Sequence, residues 1–145
     1  MSILTGGSHP GFAYGVLSRG LLSGHWSKER ALPRGDFRAW LPRFGGENLQ
    51  KNLALVEALG ALAREKGTTT AALATAWVLS RGEDIVPLVD ARRCDRLAES
   101  LGALGVRLTA ADLTRIEAAV PKGSAAGDRY PTPLMAHLDS ERRSG

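Results

Sequence analysis

Three arginines, Arg92, Arg93 and Arg96, lie close together where an apolar run gives way to a helical pattern. A planar guanidinium group donates paired hydrogen bonds to phosphate or carboxylate oxygens. The first N–H groups of a helix also attract anions, because they have no partner within the helix. The arginines and the start of the helix together predict a site for a phosphate-bearing ligand.

A second candidate site lies near the N-terminus, in the glycine-containing run from Gly15 to Gly20. Glycine lets the backbone approach a ligand closely, and exposed N–H groups can bind phosphate oxygens. Arg19 would add positive charge, and Tyr14 offers a flat aromatic face at the end of an apolar run. A flexible loop that follows a core tyrosine is the alternative interpretation, and the residues alone leave both open.

Other reactive side chains are too few or too scattered to indicate a site. Cys94 is the single cysteine, which excludes an intrachain disulfide and a cysteine zinc site. It is more simply a free thiol than a reactive one, and we expect the protein to reside in the cytoplasm. The three histidines are widely separated and have no metal-ligand spacing, so no metal site is predicted: His9, His25 and His137.

Composition and charge are those of an ordinary globular domain. The chain has 145 residues, of which 43% are hydrophobic and 23% are charged, so a packed core is expected. The formal charge of +4 is spread along the chain, whereas nucleic-acid-binding proteins usually cluster their basic residues. No apolar run approaches the roughly 20 residues that cross a membrane, and residues 1–10 do not resemble a signal peptide.

Hydrophobic periodicity predicts the elements that would position the candidate residues. We expect a lead-in at residues 1–10, one domain over residues 11–131 with a long irregular connection at 25–46, weak packing from Lys122 onward, and a flexible tail at 132–145. In the third predicted helix, Leu97 and Leu101 are expected to face inward. The predicted strands are Phe12–Tyr14 and Asp84–Val89, and the predicted helices are Glu47–Lys66, Thr70–Arg81, Arg92–Leu104 and Thr109–Val120.

The order of these elements indicates an α/β fold. A strand, a helix pair, a second strand and further helices are typical of βα units with parallel strands. Two strands alone make a poor sheet, since about three are normally needed for independent stability. We therefore expect the strands to belong to a larger sheet.

Six short segments carry a further pattern when they are taken in order. They read AYGVLSRGLLSG from Ala13; PRF from Pro42, with Glu47-Asn48 and Asn52; GTTTAALATAWVL from Gly67; DIVP from Asp84, with Arg92-Arg93 and Arg96-Leu97; LT from Leu108, with Asp112-Leu113 and Ile116; and GDRY from Gly127. Each segment alone is a weak signal. Together, over about residues 11–130, they resemble the C-terminal part of the aldo-keto reductase family.

The resemblance implies an incomplete (β/α)8 TIM barrel, of which this chain supplies about the last two strands and the mostly helical C-terminal part. It implies NADP(H) as the cofactor, and a small carbonyl compound as the substrate of an intact barrel. The family's catalytic Asp, Tyr, Lys and His lie on earlier strands, and no residue here matches them. The implied cofactor-binding residues are Tyr14, Gly15, Leu17, Arg19, Arg92, Arg93, Arg96, Glu99 and Ser100.

The family pattern also implies a role for several of these residues. Tyr14 would stack on the nicotinamide ring, and Gly15 to Gly20 would cross the pyrophosphate. The segment around the arginines would bind the 2′-phosphate, and Arg96 best matches the arginine that stacks over the adenine. A last pair, Glu99 and Ser100, stands where the family commonly has the Glu-Asn that contacts the adenine amine.

Three departures from the family pattern weaken this implied site. Gly15-Val16 replaces the usual Ser-Pro, and Ser100 is shorter than the usual Asn. Asp90 and Ala91 replace a Gly-Thr pair, so a hydroxyl is lost and a negative charge is placed near the phosphate, where like charges repel. Asp90 could instead pair with an arginine and cap the following helix.

Three functions fit the sequence. The first is the cofactor-binding segment of an NADP(H)-dependent carbonyl or alcohol oxidoreductase, inactive alone. The second is a subunit that complements an N-terminal barrel half. The third is a small helical binding module, although the helix beginning at Thr70 has too few polar side chains to read DNA bases. Neither a nucleic-acid nor a membrane partner is expected.

The departures at Gly15, Asp90, Ala91 and Ser100 predict that the isolated chain binds NADPH only weakly. Titration calorimetry of the purified chain should give a dissociation constant weaker than micromolar. A micromolar or tighter constant would contradict this prediction, because it would show that the altered residues leave the phosphate site intact.

Overall fold

The computed structural model describes residues 11–27, 29–30 and 32–136. The lead-in predicted at residues 1–10 lies outside these ranges, as does the predicted tail beyond residue 136. The strands are β1 (Gly11–Ala13) and β2 (Ile85–Pro87), and the α-helices are α1 (Gly46–Glu65), α2 (Thr70–Leu79), α3 (Cys94–Leu101), α4 (Ala110–Ala119) and α5 (Thr132–Met135). The predicted irregular connection contains two short 3-10 helices, Phe37–Trp40 and Pro42–Phe44.

The two strands pair in parallel, as the order of elements predicts, with Phe12 opposite Val86. The backbone N–H of Leu88 donates to the carbonyl oxygen of Ala13 at 2.8 Å, which extends the pairing past the end of both strands. The chain between the strands runs through α1 and α2, as a parallel connection requires. The carboxyl ends of β1 and β2 therefore meet at one edge of the sheet.

One face of this sheet is covered and the other is open. Ala13 and Ile85 are 1% and 3% exposed, whereas Phe12 and Val86 are 62% and 41% exposed. Successive side chains of a strand point to opposite faces, and helix α2 packs on the face of Ala13 and Ile85 through Val78. The prediction of a buried strand is therefore wrong for Phe12.

Helix α2 lies at the centre of the packing. The hydroxyl of Thr69 caps it by accepting from the N–H of Ala72 at 3.2 Å, as the run of threonines before it predicts. Leu73 is fully buried. The helix contacts α1, α3, β2 and the 3-10 turns at Ser18–Ser23 and Gly102–Gly105. Its buried residues are Ala71, Ala72, Leu73, Ala74, Thr75, Ala76 and Val78.

Helix α3 departs from its prediction in length and in orientation. It ends at Leu101 and continues as a 3-10 helix, Gly102–Gly105, rather than running on to Leu104. Leu97 and Leu101 are 47% and 55% exposed, so the prediction that they face inward is wrong. They line an open groove of about 290 Å³, together with Leu79 and Val89 from neighbouring elements. No described residue fills this groove, so the apolar face of α3 is left uncovered.

In the segment after α4, residues 126 and 127 are held by hydrogen bonds, although none of residues 121–136 is buried. Asn52, buried on α1, donates to the carbonyl oxygens of Ala126 at 2.9 Å and Arg43 at 3.1 Å, and accepts from the N–H of Ala126 at 2.8 Å. Arg43 donates to the carbonyl oxygen of Gly127 at 3.1 Å. Gly127 has a φ of +82°, and a Cβ there would lie 3.0 Å from the backbone of Pro42, so glycine is needed at this turn.

Helix α4 begins with the capping box that the sequence predicts. The Thr109 hydroxyl accepts from the N–H of Asp112 at 3.2 Å, and the Asp112 carboxylate accepts from the N–H of Thr109 at 2.8 Å. The same carboxylate accepts from the Lys66 ammonium group, at the end of α1, at 2.7 Å. The Lys66 hydrogen bond is the largest of the causes that hold the pKa of Asp112 well below its ordinary value of 3.8.

Replacement of Asn52 by alanine should destabilise the fold by about 3 kcal/mol, because it removes the three hydrogen bonds of a buried side chain. Urea unfolding would measure the change. Asn48→Ala is the matched control, since Asn48 donates a single hydrogen bond, to Pro42, from the same helix. The Asn48 variant should lose about 1 kcal/mol. Equal losses in the two variants would contradict a special role for Asn52.

Replacement of Asp112 by asparagine should change how stability depends on pH. Because folding lowers the pKa of Asp112, its ionised form stabilises the fold fully above the unfolded pKa, near 4, and that contribution is lost as pH falls through the lower, folded pKa. The wild type should melt higher than Asp112→Asn at pH 7, and the gap should shrink below about pH 4. The melting temperature of Lys66→Met should lie closer to that of the wild type than the melting temperature of Asp112→Asn does, because the capping box remains in Lys66→Met. A gap independent of pH would contradict the prediction.

Candidate functional site

The parallel pairing of β1 and β2 brings two distant candidate regions to the same edge of the sheet. Tyr14 follows β1 directly, and the loop that leads from β2 into α3 begins at Leu88, which is hydrogen-bonded to Ala13. Ligands of parallel α/β folds bind at the carboxyl ends of the strands. This edge is therefore where a ligand could touch both regions.

The run after Tyr14 is a hydrogen-bonded turn rather than a flexible loop. The N–H of Ser18 donates to the carbonyl oxygen of Gly15 at 2.9 Å, and the N–H of Gly20 donates to that of Leu17, also at 2.9 Å. Gly15 has a φ of +68°, and a Cβ there would meet nothing within 4 Å, so its backbone is open to a ligand. The Leu17 side chain is half-buried against the core.

Arg19 is held by aromatic rings. Its guanidinium lies over the rings of Phe37 and Tyr130, 5.1 Å and 5.0 Å from their centroids. It also donates to the Tyr130 hydroxyl at 2.5 Å. Arg19 therefore connects its turn to the C-terminal segment, and a contact between Arg19 and a pyrophosphate stays a prediction.

Tyr14 lies at the surface, so it is not the core tyrosine of the alternative interpretation. It is 49% exposed, and the guanidinium of Arg129 lies over its ring, 5.7 Å from the centroid. Arg129 also donates to the Tyr14 hydroxyl at 3.5 Å. The GDRY segment, through Arg129, thus contacts the ring of Tyr14 that the sequence analysis identifies as a candidate ligand-binding face.

The start of α3 has no side-chain cap, and Arg93 is its N-cap residue. Arg93 donates two hydrogen bonds of 2.9 Å to Asp95, which lower the pKa of the Asp95 carboxyl and raise that of the Arg93 guanidinium. Asp90 neither caps the helix nor pairs with an arginine in the described part of the chain. Arg92 is exposed and makes no ion pair within that part, unlike the other two arginines around the start of α3.

Arg96 and Glu99 are joined on the surface of α3. Arg96 donates to the Glu99 carboxylate at 3.1 Å, and it also contacts the Nε2 atom of His25. His25 lies 3.5 Å from the same carboxylate, so the segment after the 3-10 turn meets α3 here. Ser100 is buried, at 8% exposed, and lines the groove beside Leu97 and Leu101.

Sequence reasoning missed four residues that complete the arrangement: His25, Asp95, Arg129 and Tyr130. The contacts of His25 lie 71 and 74 residues away along the chain, so no local signal could reveal them. Arg129 and Tyr130 stand in the GDRY segment that carries part of the family resemblance. That segment was the signal, although a motif match does not say which side chains it meets.

Two features are absent from the described residues, a metal-binding cluster and a membrane-spanning helix. No group of three or more His, Cys, Asp or Glu in residues 11–27, 29–30 and 32–136 is placed to hold a metal ion. Among the helices of the same ranges, none has both the length and the apolar character to cross a membrane.

Residues 10–121 match the sequence profile of the aldo/keto reductase family. The chain is 38% identical over 118 residues to aldo-keto reductase yakc of Schizosaccharomyces pombe, whose name specifies NADP(+), and covers 35% of that protein. It is 41% identical over 117 residues to probable aldo-keto reductase 1 of Glycine max and covers 34% of it. Each alignment includes 81% of the chain, which thus spans about a third of the length of these relatives.

The fold is also similar to that of a solved structure, the glycerol dehydrogenase of Gluconobacter oxydans. The TM-score is 0.70 with 30% sequence identity, and the match covers 77% of this chain and 34% of the dehydrogenase. The dehydrogenase is a TIM barrel, which confirms the prediction of an incomplete (β/α)8 barrel. The two parallel strands with helices on one face are a part of that architecture.

Proposed function

The chain belongs to the aldo/keto reductase family, and from this premise we propose that residues 11–130 form the NADP(H)-binding part of a family barrel. The observation that carries the proposal is the parallel pairing of β1 with β2, because it sets Tyr14 beside the loop into α3. A small carbonyl compound would be reduced, or an alcohol oxidised, only where the other strands of a barrel supply catalytic residues. The chain by itself would be inactive.

The described residues fit a dinucleotide in part. Tyr14 offers a half-exposed ring for the nicotinamide, and the backbone at Gly15 is open to a pyrophosphate. Arg92, beside the uncapped start of α3, would meet the 2′-phosphate, and Arg96 would lie near the adenine. The cofactor itself would supply or accept the hydride.

The anion site is weaker than three arginines suggest. Asp95 neutralises Arg93, and Glu99 pairs with Arg96, so one guanidinium keeps its full charge for a phosphate. This arrangement of charges supports the prediction that the chain alone binds NADP(H) weakly.

A second proposal is that the chain completes a barrel with a separate N-terminal half. Its support is the apolar surface that described residues leave open, at Phe12 and Val86 on the sheet and at Leu97 and Leu101 on α3. Surfaces of this kind usually mark an interface. A small helical binding module is less well supported, because α2, the helix it would use, is buried. Cytoplasmic residence stays a prediction.

Replacement of Arg92 by alanine should weaken binding of adenosine 2′,5′-bisphosphate by roughly tenfold, the scale of one charge-assisted hydrogen bond. Binding of adenosine 5′-monophosphate, which differs only in lacking the 2′-phosphate, should change little. Chemical-shift titration of the amide signals of α3 would measure both constants in the weak range. Arg107→Ala is the control, since Arg107 is an exposed cation outside α3. The proposed function fails if adenosine 2′,5′-bisphosphate binds no better than adenosine 5′-monophosphate, or if the Arg92 and Arg107 variants lose affinity equally.

A further inference from the structure

The contact between Arg129 and Tyr14 joins residues that are 115 positions apart in the sequence. The guanidinium lies over the ring, and one of its N–H groups donates to the hydroxyl. A guanidinium that touches both the face and the hydroxyl of a tyrosine restrains the rotation of its ring. Tyr14 nevertheless remains 49% exposed, so a flat ligand still has access to it.

Arg129 lies in a segment, residues 126–130, that is hydrogen-bonded to the rest of the molecule on both sides of Arg129. Two residues before it, Gly127 accepts a hydrogen bond from Arg43, and Ala126 is bound on both sides of its backbone by Asn52. Directly after it, Tyr130 is held by Arg19. Anchors on both sides leave the Arg129 backbone little freedom, so its position over Tyr14 is built into the fold.

A positive charge on one face of an aromatic ring affects what binds to the other face. The negative face of the ring attracts cations, but two cations on opposite faces of one ring repel each other. A neutral flat ring escapes that repulsion. The two forms of nicotinamide differ in this respect, since the oxidised ring is a cation and the reduced ring is neutral.

We propose that Arg129 is a positioning residue for Tyr14, which covers one face of the ring and makes the open face favour neutral over cationic flat ligands. If the proposed function holds, this preference favours binding of the reduced nicotinamide over the oxidised one. The expected preference due to Arg129 is about two- to fivefold, the scale of one exposed cation–π contact.

The first measurement tests the contact without any ligand. Ring currents from Tyr14 should shift the δ-methylene proton resonances of Arg129 upfield, and Tyr14→Leu should abolish the shift. The chain has two tyrosines, so Arg19 over Tyr130 is an internal control whose shift should persist in Tyr14→Leu. If the Arg129 resonances do not respond to Tyr14→Leu, the inference is overturned, whatever becomes of the proposed function.

The second measurement titrates the chain with nicotinamide mononucleotide and with its reduced form, followed on the Tyr14 resonances. The ratio is the dissociation constant of the oxidised compound divided by that of the reduced one. It should fall by two- to fivefold in Arg129→Met, and should be retained in Arg129→Lys, which keeps the charge. Arg107→Met, which removes an exposed cation outside α3, should leave the ratio unchanged. An unchanged ratio in Arg129→Met overturns the inference alone. If neither compound moves the Tyr14 signals while the ring-current contact is present, Tyr14 is not a nicotinamide platform, and the proposed function fails together with the selectivity.

Discussion

Alanine side chains on α2 let the rest of the described chain approach this helix from every side. Each presents only a methyl group, and a helix that is apolar all round can be stable only when it is buried. Helices α1 and α3, strand β2 and two 3-10 turns meet it, with Leu73 fully enclosed. A larger side chain at these positions would separate the surrounding elements, since close-packed cores tolerate added volume poorly. Helix α2 contacts both β2, which pairs with the strand before Tyr14, and α3, which carries Arg96. It therefore connects the two parts of the candidate site.

Asn52 provides the polar counterpart of this apolar packing. Its carboxamide is buried and makes three hydrogen bonds to the backbone of two distant segments. A buried amide that satisfies its partners fixes one geometry, because any displacement leaves donors or acceptors unpaired. Here it holds Ala126, while Arg43 holds Gly127, and these residues lead to Arg129, which meets Tyr14. The core of the molecule and its candidate site are thus connected by a short chain of backbone contacts rather than by a flexible tail.

The open apolar surfaces lie where the remaining part of a barrel would pack, because the chain spans only about a third of its relatives' length. A two-stranded parallel sheet covered on one face leaves Phe12 and Val86 on the other, and in a (β/α)8 barrel that second face points into a packed interior. Burying such side chains contributes about 1.5–3 kcal/mol each, so their exposure lowers the stability that this part of a barrel can reach alone. The same reasoning applies to Leu97 and Leu101 beside the groove on α3. The helices predicted from periodicity are therefore present, but the apolar face of α3 is not covered by any described residue.

The sequence by itself determined the parallel strand order, the caps of α2 and α4, and the family, because each depends on residues near one another in the chain or on an ordered set of motifs. It also indicated Tyr14 and the arginines of α3 as the residues able to bind a dinucleotide. Only the tertiary structure decided that Arg19 lies between two aromatic rings, that Arg129 lies over Tyr14, and that the segment after Lys122 is anchored by Asn52. It likewise decided the exposure of Leu97 and Leu101. The physical reason is that periodicity shows which residues favour burial or ion pairing, whereas the partner that each one meets depends on side chains brought from distant parts of the chain.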